Sequence, residues 1–460
     1  MPAPKERTAL KVQSERAVLA AVRLPDSRYD TRDPFGELAA LAEQAGAVVV
    51  GTLEQRLEKP VAGTFMGSGK VTELKRLCEE LQAQVVIFDH DLSPRQLANI
   101  EEVVGRKILD RSELILDIFA SRATTTEAQL QVELAQLEYT YPRLRAMWDH
   151  LERITGGGGV AGIGTRGPGE MQIEIDRRLA QAKTVALRRR LEEIQDRKRR
   201  MVAQRNLDWF TVGIVGYTNA GKSTLFNALT AGGAYADDRV FATLTTRTRE
   251  WDVRGGLRVL LSDTVGFVRD LPHHLIASFK ATLEEATHAN LLLIVLDVSD
   301  PAARLQYETV NATLDELFEE IRRTEQTRSR SRGIVPTDGW TPPPRVVLLN
   351  KVDRLPDNAA LLEWQQRVPG SIAISAKDPE GQGGAGYEAL RALVREAAQG
   401  GEREMTVTVP LSEAKTIHVL ENRGVVLDRR YTGDSVRLRV RIGARQIAQL
   451  RAMGAKLTAE

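Results

Sequence analysis

The chain has 460 residues, room for about three domains, and its 42% hydrophobic and 27% charged residues are ordinary for a globular protein. Cys78, its one cysteine, excludes a disulfide framework or a cysteine-built zinc site within one chain. The best apolar run, Leu291–Val298, is too short to span a bilayer and carries Asp297. The N-terminus, Met-Pro-Ala-Pro-Lys-Glu-Arg, lacks a signal-type apolar stretch. The expectation is a soluble, cytoplasmic, monomeric protein without stable membrane insertion. A net charge of only +2 says nothing by itself about nucleic acid.

Residues 14–122 alternate apolar runs with amphipathic ones. Val18–Val22, Ala47–Val50, Val85–Phe88 and Lys107–Leu109 read as strands, and Glu37–Gln44, Val71–Leu81, Pro94–Val104 and Arg111–Ala120 as helices. That order predicts a small N-terminal α/β domain with a mostly parallel sheet. Gly67-Ser68-Gly69-Lys70 is superficially like a phosphate loop. The upstream spacing fails, however, and Val71 stands where a magnesium-binding Ser or Thr is needed, so a glycine turn entering a helix is expected.

Residues 123–206 change character. Leu130, Leu134, Leu137, Tyr141, Leu144, Met147, Trp148 and Leu151 recur at helical spacing, and Leu179, Ala182, Ala186, Leu187, Leu191 and Ile194 do so again. Two long helices joined by the glycine-dense stretch Gly156–Gly169 predict an antiparallel helical hairpin whose apolar stripes form its own seam. Pro142 should kink the first helix or restart it. Thr165 and Arg166 stand at the apex. Between Asp176 and Arg205 lie Arg177, Arg178, Lys183, Arg188, Arg189, Arg190, Arg197, Lys198, Arg199, Arg200 and Arg205, opposed only by Asp176, Glu192, Glu193 and Asp196. A charge-rich helix is ordinarily a solvated face. This imbalance exceeds what solubility requires and points to a polyanion.

Residues 208–400 carry the chemistry. After a strand-like run, Phe210–Val215, comes Gly216-Tyr217-Thr218-Asn219-Ala220-Gly221-Lys222-Ser223, followed by a helix-like run from Thr224 to Leu229. This fits G-x-x-x-x-G-K-[ST] in its strand–loop–helix setting: backbone N–H groups wrap a phosphate chain, Lys222 bridges the β- and γ-phosphates, and the Ser223 hydroxyl suits Mg²⁺. Asp263-Thr264-Val265-Gly266 follows the run Leu257–Leu261 and resembles the Asp-x-x-Gly element of GTPases, in which Asp263 would hold Mg²⁺ through water and the Gly266 N–H would sense the γ-phosphate. Asn350-Lys351-Val352-Asp353 follows Val346–Leu349. A carboxylate such as Asp353 accepts from guanine N1–H and N2–H₂, whereas adenine would leave a buried carboxylate unpaired. Ser375-Ala376-Lys377, after Ser371–Ile374, resembles the loop whose backbone closes over the base. Four elements in this order predict a P-loop GTPase domain, with a doubly wound, mostly parallel sheet, that takes GTP and GDP.

Several readings inside this domain stay open. Phe241-Ala242-Thr243-Leu244 resembles the switch I segment of translation-factor-like GTPases, which would put Thr243 on Mg²⁺ and the γ-phosphate. Thr245, Thr246 and Thr248 lie close by, and a threonine-rich stretch also reads as a plain β-edge. Asn219 is either a K⁺ ligand, whose cation substitutes for an arginine finger, or a loop stabiliser. Phe267 follows Gly266 where Ras-like enzymes place the glutamine that orients water, and it can neither donate nor accept there. Slow intrinsic hydrolysis is expected, resting on Lys222, Thr243, Gly266 and Asn219, with a partner completing the site. His273 and His274 read as proton-transfer groups or polar loop residues. Residues 322–344, with Arg328, Arg330, Arg332 and Pro342–Pro344, read as a disordered surface insertion. The last stretch, 403–460, shows strands at Met405–Val409, Gly424–Asp428 and Ser435–Val440 and a helix at Ala444–Met453, a small C-terminal α+β domain.

With the hairpin and the nucleotide motifs in hand, the chain resembles the HflX family over nearly its whole length. The markers are Asp110-Arg111, Leu116–Phe119, Leu130–Leu137, Gly162–Glu170, Asp176–Arg178, Gly216–Ser223 and Asp263–Phe267, of which the run around Gly162–Glu170 is not shared by GTPases generally. The resemblance implies a GTP-hydrolysing factor that binds the large ribosomal subunit and dissociates ribosomes, with hydrolysis stimulated by the ribosome. It also implies that the N-terminal domain and hairpin approach ribosomal RNA near the peptidyl-transferase region, so that Thr165, Arg166, Arg177, Arg178, Arg188 and Arg189 are the candidate RNA contacts. The alternative is a GTP-gated RNA-binding switch in ribosome assembly or stress sensing. Two departures bear on loop geometry: Met171-Gln-Ile-Glu-Ile-Asp176 replaces the family's Thr-Gln-Leu-Glu-Thr-Asp, and Thr245-Thr246-Arg247 replaces Asp-Pro-Thr.

Overall fold

The computed structural model describes residues 15–25, 27, 29–155, 168–230, 247–254, 257–264, 266–269, 287–331, 341–378, 384–400, 402–423, 425–443 and 458–459. Three sheets organise them. The first is built from β1 (Arg16–Arg23), β2 (Val48–Arg56), β3 (Val85–Phe88) and β4 (Lys107–Leu109), in the order β2-β1-β3-β4 and parallel throughout. Helices α1 (Gly36–Gln44), α2 (Ser68–Glu80), α3 (Pro94–Val104) and α4 (Arg111–Arg122) connect and cover it. The ends of α3 follow from local chemistry: Ser93 and Gln96 form a capping box, Pro94 sits in the first turn, and Gly105 closes the helix. Asp110 caps α4 by accepting from the Glu113 N–H. Gly67 is the N-cap of α2, and Ser68–Lys70 belong to that helix, as a glycine turn entering a helix requires.

Helices α5 (Thr126–Thr155) and α6 (Pro168–Asp208) pack through Leu130, Leu134, Leu187 and Leu191, with Leu137 and Ile194 alongside. Glu127 near the start of α5 pairs with Lys198 near the end of α6, and Glu138 with Arg188, so the helices run antiparallel. α5 continues without interruption through Pro142, so the expected restart does not occur.

The second sheet, ordered β10-β9-β8-β5-β7-β6, contains β5 (Thr211–Gly216), β6 (Arg247–Asp252), β7 (Arg258–Asp263), β8 (Leu291–Asp297), β9 (Arg345–Asn350) and β10 (Ile372–Ala373). Only β6 pairs antiparallel, on β7. β5 and β8 are buried along their full length, which is why they read as continuous apolar runs. Around them stand α7 (Lys222–Thr230), α8 (Ala303–Ser331), α9 (Asn358–Arg367) and α10 (Gly384–Gln399). The expectation of a structureless insertion from residue 322 is corrected in part. α8 continues to Ser331, its buried side Val310, Leu314, Leu317, Phe318 and Ile321 leading into an i,i+3 and i,i+4 ladder of Glu319 with Arg322 and Arg323. Residues 332–340 lie outside the described residues.

The third sheet is antiparallel, in the order β12-β13-β11-β14, from β11 (Glu402–Pro410), β12 (Val425–Thr432), β13 (Ser435–Gly443) and β14 (Thr458–Ala459), with α11 (Ala414–Arg423) over one face. The helix expected at Ala444–Met453 lies outside the described residues. One buried apolar cluster joins the first two sheets: Leu38, Leu114, Ile118 and Tyr139 share it with Tyr217, Phe267 and Val268. Among the described residues no helix is long and apolar enough to cross a membrane.

Candidate nucleotide site

The loop between β5 and α7 sits at the carboxyl ends of parallel strands, where open α/β sheets bind ligands. Gly221 has φ +95°, and a Cβ there would lie 2.3 Å from Asn350 Nδ2, so conformation and space both demand glycine. Asn219 adopts φ +62°, a left-handed conformation that asparagine tolerates better than most residues. Lys222 is only 7% exposed and donates to Tyr217 O at 2.6 Å. Burial brings its pKa from 10.5 down to about 8; Asp263 opposes that shift and Lys351 adds to it.

Ser223 Oγ donates to Asp263 Oδ2 at 2.8 Å, uniting the first helical turn of α7 with the end of β7. Both are hard oxygen donors, the kind Mg²⁺ takes beside substrate phosphates. Among the described residues no cluster of three His, Cys, Asp or Glu offers a metal cage, and a nucleotide-borne Mg²⁺ needs none. Gly266 is packed so closely that a Cβ would meet Lys222 Nζ at 2.8 Å. The segment after it is stitched to the phosphate loop: Phe267 N donates to Gly216 O at 3.0 Å and Thr218 N to Phe267 O at 2.8 Å. Phe267 itself is 4% exposed.

Asn350, 1% exposed, organises the other half. Its Nδ2 donates to Ala220 O at 2.7 Å and its Oδ1 accepts from Ala376 N at 2.9 Å, so one amide ties the phosphate loop to the Ser375–Lys377 loop. Lys351, at φ +63°, donates to Asn219 O at 2.9 Å and pairs with Asp297 Oδ2 at 2.6 Å. Asp297, at the end of β8, belongs to the site and carried no motif signal of its own. Ser375 Oγ donates to Asp353 Oδ1 at 2.6 Å, orienting that carboxylate. Asp353 is exposed rather than buried. The discrimination argued from a buried carboxylate therefore requires the base itself to cover it.

The structure thus brings together Gly216–Thr224, Asp263, Thr264, Gly266, Asn350–Asp353 and Ser375–Lys377. Phe241, Ala242, Thr243, Val265, Thr165, Arg166, His273 and His274 lie outside the described residues, as does the side chain of Arg177. On α6, Arg178 is exposed, Arg188 pairs with Glu138 at 2.7 Å, and Arg189 pairs with Glu193 at 3.5 Å. Lys183 and Lys198 likewise meet Glu133 and Glu127 of α5. The basic excess counted along α6 alone is thus reduced by its partner helix.

Residues 32–120 match a family described as "GTP-binding GTPase N-terminal", 122–205 one described as "GTP-binding GTPase Middle Region", and 211–331 one described as "50S ribosome-binding GTPase". A relative named GTPase HflX from Magnetococcus marinus is 39% identical over 95% of this chain and 94% of its own. The GTPase HflX of Escherichia coli is 38% identical over 87% of each. Among solved structures, a GTP-binding protein from Sulfolobus solfataricus in complex with GDP is 24% identical, covering 84% of this chain and 98% of its own with a TM-score of 0.40.

Proposed function

The chain belongs to the HflX family of GTPases, and from that premise we propose that it binds the large ribosomal subunit in its GTP state and dissociates ribosomes. Hydrolysis then releases it. The observation that carries the guanine reading is the Asn350 amide, which fixes the phosphate loop and the Ser375–Lys377 loop relative to each other while Ser375 orients Asp353. The ribosomal partner rests on the description of the family matched by residues 211–331 and on the exposed basic residues of α6.

Phosphoryl transfer here needs positioning and charge neutralisation. Lys222, which donates to Tyr217 O in the empty loop, and the loop N–H groups would face the phosphates. Ser223 and Asp263, with Thr243 as the third candidate, would hold Mg²⁺, which neutralises charge on the β- and γ-oxygens when bound. Asn219 is the candidate contact for K⁺. Phe267 is turned into the core shared with the N-terminal domain, so no side chain at that position orients the attacking water. The ribosome is the partner that completes the site, and unassisted turnover is slow.

Sucrose-gradient sedimentation tests this. Excess protein with a non-hydrolysable GTP analogue should convert intact ribosomes into subunits. An intact-ribosome peak that persists with the protein bound to it sinks the splitting reading and leaves a GTP-gated RNA-binding switch. Deleting residues 156–169 should spare nucleotide binding and abolish the effect on ribosomes.

A further inference from the structure

Asp297 and Lys351 form a nearly buried ion pair beside the phosphate loop, 2.6 Å apart, with side chains 10% and 16% exposed. Asp297 ends β8 and stands opposite Asn350 in the register with β9. Its carboxylate is divided between two partners. Oδ1 accepts from Ser299 N at 3.0 Å and from Ser299 Oγ at 2.6 Å. That fixes the rotation of the carboxylate and turns Oδ2 toward the lysine.

A buried ion pair is weak evidence of stability, because apolar side chains of similar volume often serve as well. This one holds geometry. Lys351 sits at φ +63°, a left-handed conformation uncommon for a long side chain. Such strain persists where the surroundings impose it, and it gathers at functional sites.

The second partner of the ammonium is a backbone oxygen of the phosphate loop: Lys351 Nζ donates to Asn219 O at 2.9 Å. One residue on, Asn350 Nδ2 donates to Ala220 O at 2.7 Å. Two consecutive residues after β9 thus draw two consecutive loop carbonyls toward themselves. The peptide bonds are trans, so the N–H that follows each carbonyl points the opposite way. The Ala220 N–H donates to Tyr217 O at 3.3 Å, the same oxygen that takes Lys222 Nζ at 2.6 Å. A backbone donor and the buried ammonium therefore converge on one point, as a loop that receives phosphate requires.

We propose that Asp297 is a positioning residue for the nucleotide's phosphates: it holds the Lys351 ammonium against Asn219 O and so keeps the Asn219–Ala220 peptide turned with its N–H into the loop. Asn350 fixes only the next peptide. The inference rests on the reading of Gly216–Ser223 and Asn350–Asp353 as the guanine-nucleotide site, and it adds a carboxylate outside both motifs.

Asp297→Asn keeps the size of the side chain and an acceptor for Ser299 but removes the counter-charge of Lys351. Titration of the full-length variant with a fluorescent GDP analogue should show affinity lower by about tenfold, the lower end for a hydrogen bond to a charged group. In GTP turnover the loss should fall on KM rather than kcat, because the peptide N–H serves ground and transition states alike. Lys351→Met, which keeps the stem without the ammonium, supplies the second arm. If Asp297 acts through Lys351, adding Asp297→Asn to Lys351→Met costs no further affinity. A folded Asp297→Asn with wild-type GDP affinity overturns the proposal. So does an equal loss in the Lys351→Met background, or a loss confined to kcat. Should Asp297→Asn fail to fold, the double variant leaves neither charge of the pair alone, and its comparison with Lys351→Met decides. The site reading fails separately. GDP affinity untouched by Asp353→Asn would remove that reading and this inference with it, whereas a drop there with none in Asp297→Asn removes the positioning role alone.

Discussion

Arg269 holds Asp89 across the seam between two sheets, its Nη2 lying 3.0 Å from each carboxylate oxygen. Asp89 follows β3 of the N-terminal sheet, whereas Arg269 comes three residues after Gly266. Asp89 also receives Arg111 Nη1 at 2.8 Å and Arg23 Nη1 at 2.9 Å. Beside it, Glu37 accepts from Arg111 Nη2 at 2.6 Å and from the Tyr217 hydroxyl at 2.7 Å, and that same hydroxyl accepts from Arg269 N at 2.8 Å. Tyr217 belongs to the phosphate loop. The N-terminal domain therefore touches both the Gly216–Ser223 loop and the segment that follows Gly266.

Burial alone would raise the pKa values of Asp89 and Glu37. Arg111 and Arg269, with Arg23 for Asp89 and the Tyr217 hydroxyl for Glu37, hold both below their ordinary 3.8 and 4.5. Groups with depressed folded pKa values contribute stability that is full above the unfolded values and lost as pH falls through the folded ones. The loss should thus lie below about pH 4.5. Asp89→Asn leaves Arg23, Arg111 and Arg269 without their shared anion, and we expect it to cost about 3–5 kcal/mol. Urea unfolding at pH 7 measures that cost. Repeating it from pH 6 to pH 3 should show a flatter acid limb in the variant than in wild type.

Lys222 gives a second pH dependence with the opposite sense. In the nucleotide-free site its pKa is about 8, against 10.5 in an unfolded chain. A phosphate chain favours the charged amine, so above pH 8 binding takes up a proton, and affinity should fall by up to about tenfold per pH unit. GDP titrations from pH 7 to pH 9.5 would show this, and a flat profile would refute it. For the empty protein the sign reverses. The unfolded state binds more protons between pH 8 and 10.5, so stability conferred through this group rises with pH across that window.

How much of this was legible depended on whether partners are close in sequence. Gly216–Ser223 and Asn350–Asp353 are contiguous, so residue type and spacing announce them. The exchange among Arg269, Asp89 and Arg111 leaves no such trace: Arg269 and Asp89 are 180 positions apart, and Arg111 reads locally as the first residue of a helix. The arginine-rich end of α8 resembled disorder because its charges hide a continuing helical period. β6 was only touched by the β-edge reading of the threonine-rich stretch, which reached Thr248, because an edge strand with mostly polar, exposed residues lacks the apolar alternation that marks strands; only Trp251 is buried in it.

On the proposed reading, Asp353 selects the base. It accepts from Ser375 Oγ with one oxygen, and guanine would use the carboxylate for N1–H and N2–H₂. Asp353→Asn replaces an acceptor by an amide N–H₂, which opposes the guanine amine but suits the 2-oxo group of xanthine. GTP affinity should fall by about 10²-fold, two hydrogen bonds being lost, while xanthosine triphosphate gains. Competition between labelled GDP and the two triphosphates reads both. Loss of GTP binding without any gain for the xanthine nucleotide would place Asp353 in loop structure instead.

Asn219 separates two roles by a single substitution. Its φ of +62° already accounts for asparagine at this position, and its backbone oxygen, not its side chain, is what Lys351 binds. Glycine accepts the same backbone and deletes only the side chain, whereas alanine would add strain. Asn219→Gly should therefore fold and bind GDP like wild type. If the side chain ligates K⁺ beside the phosphates, ribosome-stimulated turnover of wild type should be higher in K⁺ than in Na⁺ by at least about tenfold, the scale of one lost electrostatic contact in a transition state, and the glycine variant should lose that difference. Equal wild-type rates in the two salts would leave Asn219 as a loop residue, with the transition-state charge met by Lys222, the backbone and the ribosome.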